Sequence, residues 1–263
     1  MNTRLIDGSE FIHLPKTGGT WVSTILQSQR LSRDLRIGRH EHANYDMVFL
    51  DAWQRWRAAR FRKLKNSVRK RITPNAPDPA IAIADKLDNT FRFCFVRHPL
   101  TWYESIWKYR RQNGCKNYRQ PKTAGGWHSM AVLSDFGSED FNQFVRNVMA
   151  ARPGFVSELY FSYARPGISF VGRMESLSDD LVRVLTHLGL DFDESALRGL
   201  GHQNRSRSAS KPIEWDPEVR ATAMRLELPA LTHYGYIDDE ARELAGLPDS
   251  FQVPPSPALT SIP

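Results

Sequence analysis

Residues 10–29 read EFIHLPKTGGTWVSTILQSQ, and most of what can be expected of this chain starts there. Glu10 to Leu14 is a short apolar run that reaches Pro15, Lys16 to Thr20 is a glycine-rich turn, and Trp21 to Gln29 places Trp21, Ile25 and Leu26 on one helical face. The order is strand, glycine turn, helix. Two glycines, Gly18 and Gly19, let the main chain approach a ligand closely, and the amides that open a helix favour an anion. Lys16 adds a positive charge, and Thr17 and Thr20 add hydroxyl donors. These are the parts of a phosphate or sulfate cradle, although a plain strand-to-helix turn uses some of the same residues. The stretch is not a Walker A loop, because its lysine precedes the glycines and no acidic residue is evident to hold magnesium.

A second stretch repeats the plan. Phe91 to Val96 (FRFCFV) is a continuous aromatic and β-branched run suited to a strand buried on both faces, and Pro99 can open a helix over Leu100 to Arg111. Arg97 closes that strand, and Ser105, eight residues on, falls about two turns into the helix, where its hydroxyl can meet an anion gripped by the planar guanidinium. Further strands are expected at Leu35 to Ile37 and Ile168 to Val171. Helices are expected from Tyr45 to Arg71, after a Ser138 cap, from Ser178 to Gly189, and from Pro217 to Leu228. Strands alternating with helices predict an α/β protein of three layers, a parallel sheet flanked by helices, with ligand groups on the loops at the strands' C-terminal ends.

The 263 residues are 41% hydrophobic and 25% charged, the balance of one folded domain, here residues 1–253 followed by a disordered tail at 254–263. No run of about 18 uncharged apolar residues occurs, and residue 1 is not followed by the basic and apolar regions of a secretory leader. Two cysteines, Cys94 and Cys115, are too few for a disulfide framework and read as free thiols in a cytoplasmic, reducing setting. The formal charge of +7 is local. Nine Arg and Lys lie between Trp53 and Arg71 with no acidic residue, and without them 27 basic residues face 29 acidic ones. Within the helical insert at 45–79 this segment has three readings: a solvated face, a contact for an anionic acceptor or surface, or, least of the three, membrane or nucleic-acid contact.

At this point the chain resembles the sulfotransferases that use 3′-phosphoadenosine 5′-phosphosulfate (PAPS). FIHLPKTGGTW at Phe11 to Trp21 resembles the family's 5′-phosphosulfate loop, and FCFVRHPLTWYES at Phe93 to Ser105 resembles its 3′-phosphate motif. FVGRMESLSDDLVRVLTHLGL at Phe170 to Leu190, HQNRSRS at His202 to Ser208 and HYGY at His233 to Tyr236 are similar to later stretches of bacterial and carbohydrate-type members. The resemblance implies a P-loop-like sulfotransferase fold and transfer of a sulfuryl group to a hydroxyl, or an amine, of a glycan, glycolipid or small molecule. It further implies that Lys16 stabilises the departing phosphate and that Thr17, Gly18, Gly19, Thr20 and Trp21 wrap the 5′ group. Arg97 and Ser105 would hold the 3′-phosphate, and Asn204, Ser206, Arg207 and Ser208 would close over the nucleotide, with no metal required.

An acceptor hydroxyl also needs a base. Members of the family use a histidine or glutamate near the end of the second core strand, which selects His40 in Gly38-Arg39-His40-Glu41-His42, with His42 and Glu41 behind it and Glu175 as a supporting or orienting group. His13, inside the first strand, reads as a core histidine. Trp102, Tyr103, Trp107 and Tyr109 either line an acceptor cleft or pack in the core. Two other functions compete: a nucleotide-dependent kinase on the same scaffold, and a basic anion-binding module built on residues 53–71.

Overall fold

A computed structural model describes residues 3–33, 90–112, 133–164, 168–200 and 213–245. The expected strand at Leu35 to Ile37, the basic helix, Cys115, His40 to His42, Asn204 to Ser208 and the tail lie outside the described residues. Within them the order is β1 (Thr3–Arg4), β2 (Glu10–Ile12), α1 (Gly19–Ser28), β3 (Arg92–Val96), α2 (Pro99–Gln112), α3 (Phe141–Ala151) and α4 (Phe155–Tyr163). It continues with β4 (Phe170–Arg173), α5 (Leu177–His187), α6 (Glu194–Gly199), α7 (Pro217–Leu226), α8 (Leu228–His233) and α9 (Asp239–Ala245).

The four strands lie side by side in chain order. β2, β3 and β4 are parallel, with Phe11 opposite Phe93 and Phe93 opposite Phe170, but β1 pairs antiparallel with β2, so the sheet is mixed rather than wholly parallel. A two-residue strand leaves no period to read, which is why the sequence does not announce it. Alternation along the strands sorts the core into two halves. Phe11, Phe93, Phe95 and Phe170 pack with Trp21, Val22 and Ile25 of α1 and Leu181 and Val184 of α5. Ile12, Cys94, Val96 and Val171 pack on the other side with residues of α2, α3, α4, α7 and α8. Each fully buried Phe, Val or Leu removes about 1.5–3 kcal/mol of apolar surface from water, so a sheet covered on both faces holds its strand ends firmly in place. At the opposite edge, Arg92 is 2% exposed and meets Glu10 at 3.3 Å, while Arg4 reaches the same carboxylate at 2.7 Å.

Several expected boundaries move. α3 is capped by Asp140, whose carboxylate accepts from Gln143 N–H at 2.6 Å, and not by Ser138, which lies too far ahead of the first turn. α5 begins at Leu177, one residue before the expected Ser178, because a short 3₁₀ turn at Met174–Ser176 feeds directly into it. The single helix expected from Pro217 to Leu228 is two, broken at Glu227, with Pro229 in the first turn of the second. Among the described residues no helix is long and apolar enough to cross a membrane.

Candidate functional site

The loop after β2 makes a left-handed turn into an uncapped helix. Lys16 has φ 65 and Gly18 φ 84, so two residues of the turn are left-handed, and for the lysine this costs on the order of 1–3 kcal/mol of backbone strain. Gly19 is fixed by a different constraint, since a Cβ there would overlap the ring of His13, which is buried. His13 is a core histidine as expected, but it lies one residue past the end of β2 rather than within it. α1 begins at Gly19 with no side-chain cap, so the amides of its first turn have no acceptor within the helix.

Not every hydroxyl and ring of the loop faces outward. Thr17 is buried and donates to Leu14 O at 3.1 Å, closing the turn, and Trp21 is buried with its indole N–H donating to Leu200 O at 2.9 Å. What these two can offer a ligand is main chain. The Trp21 bond also ties the start of α1 to the residue just before the 201–212 segment, which carries Asn204, Ser206, Arg207 and Ser208.

The second motif is fastened to the first. Trp102 of α2 is fully buried and donates to Pro15 O at 2.9 Å, so the helix after Arg97 holds the residue before Lys16. Arg97 is positioned from both ends: Tyr160 OH donates to its carbonyl at 2.7 Å, and its Nε–H donates to Thr101 Oγ1 at 2.9 Å. Its terminal nitrogens carry no hydrogen bond among the described residues. Ser105 lies on the same helix, half-buried, and its hydroxyl likewise has no hydrogen-bond partner among the described residues.

Electrostatics bring the two motifs into one field. Burial, and next the positive charge of Arg97, hold the Lys16 ammonium down to about 8 from its ordinary 10.5. Burial also lowers Arg97, against the opposing pull of Tyr160, Glu175 and Glu104. Lys16 makes no ion pair among the described residues; its Nζ sits 4.1 Å from the ring centroid of Tyr109, a residue 37% exposed. Two half-buried cations that are not ion-paired among the described residues repel one another, and an anion placed between them removes that repulsion.

The remaining sequence candidates divide. Glu175 accepts His98 N–H at 3.0 Å on one oxygen and Tyr236 OH at 2.8 Å on the other, so it positions the loop after β3 and the HYGY segment. Of the four aromatics on α2, Trp102 and Tyr103 are core, Trp107 is part-buried and donates to Ser138 O, and Tyr109 alone is exposed, beneath Lys16. Cys94 is buried on β3, and desolvation pushes its thiol far above its ordinary value, consistent with an inert packing role. Two further charged residues of consequence are not among the expected site residues. Glu227 is fully buried and accepts from Tyr103 OH, Val156 N–H and Ser157 N–H, and Arg173 ends β4 in register with Val96.

Compared with known proteins, the chain matches no family model, no curated protein and no solved structure. The functional reading therefore rests on the residues themselves.

Proposed function

We propose that the protein is a PAPS-dependent sulfotransferase acting on a hydroxyl of an acceptor. The observation that carries the reading is the pair Lys16 and Arg97, two cations of lowered pKa at the carboxyl ends of adjacent parallel strands, fastened by the Trp102 to Pro15 bond and neither ion-paired among the described residues. A donor with phosphate at both its 5′ and 3′ positions needs two such cations. A nucleoside triphosphate carries no phosphate at its 3′ position.

The donor supplies an activated sulfuryl group. Lys16 and the first-turn amides of α1 would hold its 5′ end, and Arg97 with Ser105 its 3′-phosphate. In the reaction the acceptor oxygen forms a bond to sulfur, the bond from sulfur to the phosphate oxygen breaks, and the charge left on that oxygen is met by Lys16. The acceptor proton passes to a base, for which His40 remains the first choice from the sequence. As in phosphoryl transfer, positioning and charge stabilisation carry most of the catalysis.

The test is thermal stability with 3′-phosphoadenosine 5′-phosphate, against ADP and against ATP with magnesium at matched concentration. A ligand at 100 times its Kd adds about 2.7 kcal/mol to stability. Stabilisation by the 3′-phosphorylated nucleotide alone is the expected result, with Arg97→Ala losing it and Lys16→Ala abolishing transfer. Stabilisation by ATP with magnesium in its place would transfer the reading to a kinase.

A further inference from the structure

Three parallel strands each deliver a cation to the same edge of the sheet: Lys16 follows β2, Arg97 follows β3, and Arg173 is the last residue of β4. The proposed donor accounts for the first two. Arg173 pairs in register with Val96, one residue before Arg97, and alternation puts its side chain on the face of Cys94, Val96 and Val171. There its guanidinium carbon lies 5.0 Å from the ring centroid of Tyr236, and its Nε is buried with no hydrogen-bond partner among the described residues.

Three carboxylates lie within seven residues of Arg173, and none is bonded to its guanidinium: Asp179 pairs with Arg198. Glu175 is committed to His98 N–H and Tyr236 OH. Asp180 accepts the main-chain N–H of Arg173 at 2.8 Å and Ser176 OH at 2.7 Å, and its other oxygen faces Arg183. A buried donor without an acceptor is unfavourable, and charge-assisted hydrogen bonds to an anion offset that cost. The supports are themselves fixed, because the Tyr236 ring under the guanidinium is pinned by Glu175.

We propose that Arg173, stacked on Tyr236, recognises an acidic group of the acceptor, a carboxylate or sulfate, so that the substrate is already anionic before it is sulfated. This rests on the sulfotransferase reading, which assigns Lys16 and Arg97 to the donor. Arg173 is then a specificity residue: it touches the acceptor away from the reacting oxygen and sets which acceptors dwell in the site.

The test uses inorganic sulfate, titrated at constant ionic strength against chloride into protein saturated with 3′-phosphoadenosine 5′-phosphate and into protein alone, for wild type, Arg173→Gln and Arg173→Lys. Sulfate is expected to bind Arg173→Gln at least tenfold more weakly than wild type while nucleotide affinity stays within twofold. Arg173→Lys keeps the charge without the fork and should fall between them; it also serves if the glutamine variant does not fold. Unchanged sulfate affinity in both variants overturns the proposal. A tenfold loss of nucleotide affinity with sulfate unaffected overturns it too, by assigning Arg173 to the donor. Should wild type bind sulfate through Arg173 but fail to bind the nucleotide, the donor reading falls, and with it the acceptor role, leaving Arg173 as an anion site of another function.

Discussion

Two helices of this protein start alike and are completed differently. α1 and α4 both follow a left-handed glycine, Gly18 at φ 84 and Gly154 at φ 71, and in neither does the cap residue supply a side-chain acceptor. At α4 the chain brings its own anion. Glu227 takes the N–H groups of Val156 and Ser157 at 3.0 and 2.7 Å and the Ser157 hydroxyl at 2.7 Å, with Tyr103 OH closing the set. At α1 no carboxylate of the described residues is hydrogen-bonded to Gly19 or Thr20, and the loop that leads into it carries Lys16, in the field of Arg97. The same backbone device is thus closed from within at one helix and left for an external anion at the other. Satisfied, it is structure; left open beside cations, it is where the proposed donor would bind.

The most damaging way to probe this difference is to empty the closed end. Glu227→Ala removes the acceptor from four buried donors, and a loss of about 3–5 kcal/mol in urea unfolding is expected. Because Tyr160 of α4 holds the Arg97 carbonyl, nucleotide binding should weaken in the same variant. Glu227→Gln keeps one acceptor oxygen and should lose less. Desolvation raises the Glu227 carboxyl above its ordinary 4.5, so on passing up through that range the folded state retains a proton that the unfolded state has released. Its contribution to stability therefore falls as pH rises, and the glutamine variant should lack that slope. If Glu227→Ala unfolds like wild type, the two helix ends are not the contrast drawn here.

The open end is sensitive to shape before it is sensitive to charge. In Gly19→Ala the new methyl overlaps the His13 ring, and overpacking of this kind costs about 1–3 kcal/mol. Since the obstacle is one side chain, Gly19→Ala with His13→Ala should be less unstable than the two single losses together, a non-additivity readable in a double-mutant cycle. Strict additivity would mean that the loop relaxes without involving His13.

What could be read from the sequence follows the range of each interaction. The strand at FRFCFV, the turn at PKTGGTW and the cation after each strand are local patterns, and the structure places them at one sheet edge. The bonds that make this edge a site are not local. Trp102 meets Pro15 across 87 residues, Tyr160 meets Arg97 across 63, and Glu227 reaches α4 across about 70. None has a period or motif to reveal it. Arg173 is intermediate: its place at the end of FVGR is legible, but its separation from Glu175 and Asp180 appears only once their hydrogen bonds are assigned. The Ser138 cap failed for the same kind of reason, since both Ser138 and Asp140 have cap chemistry and only the position of the first turn chooses between them.

The smallest expected effect isolates what the open end sacrifices. Lys16 combines a left-handed backbone with a half-buried ammonium, and both are unfavourable in the unliganded protein. Lys16→Gly removes the strain and the charge together and should raise thermal stability by about 1 kcal/mol while abolishing stabilisation by 3′-phosphoadenosine 5′-phosphate. Lys16→Ala keeps the Cβ and should gain less. Between pH 8 and 10.5 the unfolded lysine holds a proton that the folded one has lost, so wild-type stability should rise with pH across that window, and Lys16→Gly should lack the rise. Nucleotide affinity runs the other way: above about pH 8 the anion must first reprotonate Lys16, and its Kd should climb towards tenfold per pH unit in wild type. A pH-independent Kd in wild type would take Lys16 out of the anion site and leave the left-handed turn without a function.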